Sequence, residues 1–151
     1  IDLMPCEVGY EHANIEFRQI DVRMLNENYE NFDLILNCSS IEHVGLSGRY
    51  NSTEAPDGDL EAMKKMLALL KIKGHMIITL PIGLDTVIRP LHRIYGKERL
   101  PRLLEGYKVV ESNFWRKDHR NIWLRCTKRK ALTEKGNDRY YALGTMVLQR
   151  A

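Results

Sequence analysis

Leu34-Ile35-Leu36-Asn37-Cys38 and Met76-Ile77-Ile78-Thr79-Leu80 are two short apolar runs, the second closed by Pro81 and Gly83. Runs of this length without strict alternation fit strands covered on both faces, as in parallel sheets. Between them, Asp59 stands as an N-cap before Leu60, Met63, Met66-Leu67 and Leu70, which recur at helical spacing, with Gly74 as the stop. Strand, helix and strand in this order predict a βαβ unit, because parallel neighbours need a crossover of about a dozen residues or more.

Working outward, Ile15-Glu16-Phe17-Arg18-Gln19-Ile20 alternates apolar and polar and stops at Asp21, the pattern of a strand with one buried face. Ile1-Asp2-Leu3 reads as the end of a buried strand, which predicts that the chain is a piece of a domain. Downstream, residues 98–105 read as a short helix with Pro101 in its first turn and Gly106 closing it. Tyr107-Lys108-Val109-Val110-Glu111 and Thr145-Met146-Val147-Leu148 have strand composition, and Trp123-Leu124 adds a further strand within the basic stretch 115–141. The expectation is a single α/β domain over residues 1–151, three-layered, with a mainly parallel sheet.

Composition narrows the function classes. The chain has 151 residues, 44% of them hydrophobic, enough for one core, and a net charge of only +3. Cys6, Cys38 and Cys126 are odd in number and share no metal-ligand spacing, so neither a disulfide framework nor a zinc site is expected, and a cytoplasmic setting fits. No apolar run approaches the roughly 20 residues of a membrane span. Asp57-Gly58-Asp59 lacks the remaining ligands of a calcium loop and fits a turn with a helix cap. Asn51-Ser52-Thr53 has a glycosylation pattern that matters only in a secreted protein. The stretch from Arg116 to Lys130, with Trp115 and Trp123 interleaved, is more simply a solvated excursion than a nucleic-acid surface.

Ligands of open parallel sheets bind at the carboxyl ends of the strands. Asp2, Asp21, residues 37–43 and residues 81–85 all fall there. The blocks Cys38-Ser39-Ser40-Ile41-Glu42-His43-Val44-Gly45-Leu46, Asp57-Gly58-Asp59, Leu80-Pro81-Ile82-Gly83 and His92-Arg93-Ile94-Tyr95, in this order, resemble the class I, Rossmann-like, S-adenosylmethionine-dependent methyltransferases, and among them an uncharacterised branch carrying the Ser-Ser-Ile-Glu-His-Val-Gly-Leu string. The resemblance covers nearly the whole chain and implies a sheet whose last strand is antiparallel. It implies S-adenosylmethionine as cofactor, no metal, and methyl transfer to a small-molecule or glycan acceptor, most simply at oxygen.

By that resemblance Asp2 would accept hydrogen bonds from the cofactor ribose, and Asp21 with the backbone N–H of Val22 would face adenine. Asn37 and Ser39 would lie where the cofactor's sulfonium and methyl group come near the acceptor, and Glu42 or His43 would position the acceptor or take its proton. His92, Arg93 and Tyr95 would line the substrate side. Each has a plainer alternative: Asp21 as a turn aspartate bonding its own backbone, His43 as a partner of a loop carbonyl, Arg93 and Tyr95 as loop anchors.

The departure from the pattern is that no glycine-rich loop precedes Asp2 or occurs later, and Lys73-Gly74-His75 stands where two glycines are usual. The first strand and its loop are therefore expected to be missing, and this piece alone to be a marginal fold without activity. Two rivals follow, a degenerate methyltransferase-like domain and another Rossmann-like nucleotide-binding enzyme.

Overall fold

The computed structural model describes residues 1–4, 12–26, 30–48, 50 and 52–151; Cys6 and Asn51 lie outside them. Strand β1 (Phe32–Cys38), helix α1 (Gly58–Leu69) and strand β2 (Leu70–Ile82) form the expected unit. β1 and β2 are parallel, with Leu34 opposite His75 and Cys38 opposite Thr79. A small antiparallel hairpin, β3 (Thr86–Ile88) and β4 (His92–Ile94), replaces the expected loop. Helix α2 (Arg99–Leu103) then leads to strand β5 (Tyr107–Lys117), and strand β6 (Trp123–Cys126), helix α3 (Lys128–Ala131) and strand β7 (Ala142–Arg150) complete the chain.

The main sheet runs β1-β2-β7-β5-β6. The last strand enters between β2 and β5 and is antiparallel to both. β1 and β2 thus end on the same rim as β5, which puts Cys38, Ile82 and Lys117 along one edge of the molecule.

One face of the sheet is the core. Met76, Ile78 and Leu80 alternate inward along β2, and Met146 and Leu148 of β7 meet them in register. Against this face pack Ala62, Met63 and Met66 of α1, Leu100 and Leu103 of α2, and Ala131 of α3. Each large aliphatic side chain so enclosed contributes about 1.5–3 kcal/mol. The opposite face exposes Leu34 (49%), Leu36 (68%) and Ile77 (42%), so the described helices supply two of the three expected layers.

Some boundaries differ from the sequence reading. Asp57, not Asp59, is the N-cap of α1, and Asp59 sits in the first turn, fully buried. Gly74 does not stop the helix: α1 ends at Leu69 and β2 begins at once, with Gly74 inside it. The irregular register there, with Lys73 at φ +65°, folds the backbone so tightly that a Cβ on Gly74 would lie 2.8 Å from the Lys71 carbonyl oxygen. Ile15–Ile20 forms only a one-residue parallel bridge between Gln19 and Asp2, because two hydrogen bonds, Asp2 N–H to Arg18 O and Ile20 N–H to Asp2 O, make up its ladder among the described residues. Helix α2 is shorter than expected, and its start is fixed from a distance: the Asp85 carboxylate accepts from the backbone N–H groups of Gly96, Glu98 and Arg99, satisfying donors a helix start leaves open.

Candidate active site

At the carboxyl end of β1 the chain turns through Ser39, in the left-handed region at φ +47°, whose hydroxyl hydrogen-bonds that of Thr79 at the matching end of β2 (2.9 Å). A one-turn 3-10 helix follows over Ile41–His43. Gly45, at φ +77°, then directs the loop back over α1, where Gly45 N–H donates to Ser52 Oγ (2.8 Å). The turn at Gly45 needs glycine, since a Cβ there would collide with the Ala55 carbonyl.

The turn borders a cleft of about 310 Å³ lined by Asp2, Asp21, Val22, Ser39, Ser40 and His43 among others. Four of the five expected cofactor residues, Asp2, Asp21, Val22 and Ser39, therefore meet at one opening although they are far apart in sequence. The fifth, Asn37, does not line this cleft. Its Oδ1 accepts from Ile41 N–H (3.3 Å) and its amide reaches Met66 Sδ (3.9 Å), so it braces the turn from the α1 side.

Asp2 is exposed, with Oδ1 accepting from Met4 N–H, and a carboxylate with further lone pairs keeps acceptor capacity toward the cleft. Asp21 is more engaged. It N-caps the short helix Val22–Met24 by accepting from Arg23 N–H (2.9 Å), and the Arg23 guanidinium forks onto both its oxygens at 2.7–3.1 Å. Burial works against the charge, but the hydrogen bonds and charge of Arg23 outweigh it and hold the Asp21 carboxyl below its ordinary range. The turn-aspartate geometry is thus present at the same residue that lines the cleft.

His43 also lines the cleft, and its Nδ1 lies 2.5 Å from the Leu91 carbonyl oxygen. A carbonyl only accepts, so Nδ1 carries the proton and the neutral ring keeps its lone pair on Nε2. Nε2 is 3.9 Å from Glu42 Oε1. Glu42 does not reach the cleft; it is 2% exposed, its Oε2 has no hydrogen-bond partner among the described residues, and burial pushes its carboxyl up to about 7. An imidazole backed by a reluctant carboxyl can take a proton and have the resulting charge balanced.

The expected substrate residues are placed differently. Arg93 is 1% exposed, and its guanidinium donates to the carbonyls of Val44, Ala55 and Pro56, with Nε 3.7 Å from Asp59 Oδ1. Tyr95 is fully buried and donates its hydroxyl to Asp59 Oδ2 (3.1 Å). Neither lines the cleft: these desolvated groups are already satisfied by carbonyls and a carboxylate, and they hold Val44, Ala55, Pro56 and Asp59 against β4 and Tyr95. His92 is buried with its ring edge-on to Tyr141 (5.2 Å), also away from the cleft.

Sequence reasoning missed Tyr50, whose ring lies 4.4 Å from that of His43 at the cleft wall, and Thr79 and Arg99. For Tyr50 the sequence holds no signal, because it approaches His43 only through the return of the loop at Gly45. Arg99 pairs with Asp57 and Asp59, a match that the acidic Asp57-Gly58-Asp59 block signalled without naming its partner.

The fold is the Rossmann-like methyltransferase fold. Solved structures similar to the chain include the 1,6-didemethyltoxoflavin-N1-methyltransferase of Burkholderia thailandensis with bound S-adenosylhomocysteine (18% identity, TM-score 0.53, 89% of this chain and 50% of that one). They also include the N-methyltransferase NodS of Bradyrhizobium japonicum in complex with S-adenosylhomocysteine (15%, 0.54, 88% and 53%) and a SAM-dependent methyltransferase of Methanosarcina mazei (10%, 0.59, 89% and 66%). The chain spans about half the length of the first two. No curated protein sequence matches it significantly. A family model matches residues 7–151, and the chain belongs to that family, described as Caenorhabditis protein of unknown function, DUF268.

Proposed function

We propose that the protein transfers a methyl group from S-adenosylmethionine to a small-molecule or glycan acceptor, at oxygen. The observation that carries this reading is the convergence of Asp2, Asp21, Val22, Ser39 and His43 on one cleft at the carboxyl ends of the strands. Asp2 holds the ribose diol, Val22 N–H and the Asp21 side face adenine, and Ser39 borders the methionine end. The cofactor, when bound, supplies an electrophilic methyl group. The chain's own task is alignment and proton removal. His43, held in the Nδ1–H tautomer by Leu91, takes the acceptor hydroxyl proton on Nε2, and Glu42, whose Oε1 lies 3.9 Å from that same nitrogen, balances the imidazolium.

A second reading, a domain that keeps the sheet without turnover, draws support from the Asp21 carboxylate, which is already occupied by Arg23. Calorimetric titration of the full-length protein with S-adenosylhomocysteine separates the two. Binding that Asp21→Asn weakens up to about tenfold, the worth of one hydrogen bond, supports methyl transfer. No binding favours the degenerate domain. Binding with unchanged affinity in Asp2→Ala and Asp21→Asn would overturn the assignment of the cleft.

A further inference from the structure

Charge in this chain is segregated. Residues 115–130 hold seven lysines and arginines against one aspartate, a net of six positive charges, while the remaining residues hold 16 basic against 19 acidic side chains, a net of three negative. The modest overall charge therefore conceals a strongly basic hairpin on an otherwise acidic body.

The same hairpin exposes apolar surface. β6 is the edge strand of the sheet, and three consecutive residues, Ile122 just before it and Trp123 and Leu124 at its start on alternate faces, are open, at 49%, 40% and 47%. The turn that presents them is built. Asp118 Oδ1 accepts from Arg120 and Ile122 N–H, Asp118 N–H donates to Ile122 O, and Asn121 takes the left-handed conformation at φ +64°. Across the strand pair Lys117 stands opposite Trp123 and Trp115 opposite Arg125, and the Lys117 ammonium lies 5.0 Å from the Trp123 ring centroid. Exposed Lys128, Arg129 and Lys130 of α3 follow directly.

We infer that this hairpin docks the protein on an anionic membrane surface, with Ile122, Trp123 and Leu124 entering the headgroup layer and the surrounding lysines and arginines meeting lipid phosphates and carboxylates. Apolar tips ringed by basic side chains match an interface that is greasy inside and negative outside. A nucleic acid suits the patch less: stacking needs free aromatic faces, Ile122 and Leu124 offer none, and one face of Trp123 is covered by Lys117. Because β5 runs parallel to β2, the hairpin tip rises from the rim that also carries the cleft. Docking there turns the cleft toward the membrane, so that an acceptor presented from the lipid surface can reach it. The docking itself does not depend on the methyl-transfer reading.

The test is co-sedimentation of the full-length protein with vesicles of phosphatidylcholine alone and of phosphatidylcholine with phosphatidylserine, with a fluorescently labelled single-stranded RNA in parallel. The expected result is salt-sensitive binding to the anionic vesicles only, with a blue shift of tryptophan emission that Trp123→Phe abolishes. Each basic residue near such a surface changes partitioning about fivefold, so joint Lys128→Ala, Arg129→Ala and Lys130→Ala substitution weakens it about a hundredfold. Joint Ile122→Ser and Leu124→Ser substitution, at exposed edge positions where folding is checked by circular dichroism, weakens it several-fold. Equal binding to neutral vesicles, no vesicle binding, or tighter binding to the RNA than to the anionic vesicles overturns the proposal.

Discussion

The Asp59 carboxylate is gripped by the Arg99 guanidinium, Oδ2 at 2.9 Å from Nε and Oδ1 at 2.5 Å from Nη2, joining the first turn of α1 to the first turn of α2. Asp59 is fully buried, and Tyr95 and Arg93 complete its surroundings. The pair explains why the loop over the cleft has a fixed floor: the carbonyls of Val44, Ala55 and Pro56 are held by Arg93, which Asp59 keeps company at 3.7 Å.

Asp59→Ala is expected to be the most damaging single substitution in the chain. It leaves buried Arg93 without its counter-charge and Arg99 with only the half-exposed Asp57, a loss of about 3 kcal/mol or more. Denaturant unfolding followed by circular dichroism checks this, and a change below about 1 kcal/mol would show that the arginines find solvent.

Tyr95→Phe separates anchoring from substrate contact. Removing the hydroxyl that Asp59 accepts costs about 1.5–3 kcal/mol of stability, the range for a hydrogen bond to a charged group. The acceptor KM of the active full-length enzyme should stay unchanged. A raised KM with unaltered stability would return Tyr95 to the substrate side.

Gly45→Ala places a side chain against the Ala55 carbonyl and forces φ +77° on a residue that rarely adopts it. The expected cost is about 1–3 kcal/mol, accompanied by loss of the close approach of Tyr50 to His43. Thermal unfolding and the tyrosine near-ultraviolet signal report both.

The pH dependence of stability carries the signature of Glu42. Its folded-state carboxyl is pushed up from 4.5 to about 7, so between these values the folded form binds the proton more tightly than the unfolded chain does. That contribution, about 3 kcal/mol, is fully present below about pH 4.5 and is lost as the pH rises through about 7. Glu42→Gln should flatten the midpoint-against-pH profile across this window. A profile identical in the two proteins would mean that Glu42 is not buried in its acid form.

Sequence alone determined the βαβ unit. The runs at 34–38 and 76–80 are short and uninterrupted, the helix between them has clear spacing, and such local signals survive tertiary context. It also expected Asp2, Asp21, Ser39 and His43 at strand ends, but only the turn carrying Ser39 and His43 follows a strand of the main sheet; Asp2 and Asp21 reach the cleft through an isolated bridge and the cap of the short helix Val22–Met24. Only the tertiary structure decided the fate of Arg93 and Tyr95, because whether a charged or hydroxyl group faces solvent or core depends on partners about 35–50 positions away in Val44, Ala55 and Asp59. The same holds for residues 15–20, whose alternation promises a strand but whose pairing rests on two hydrogen bonds with Asp2, and for Asn37, which turned to the α1 side of β1. Periodicity reports which face of an element is apolar; what a polar side chain touches is set by the packing of distant segments.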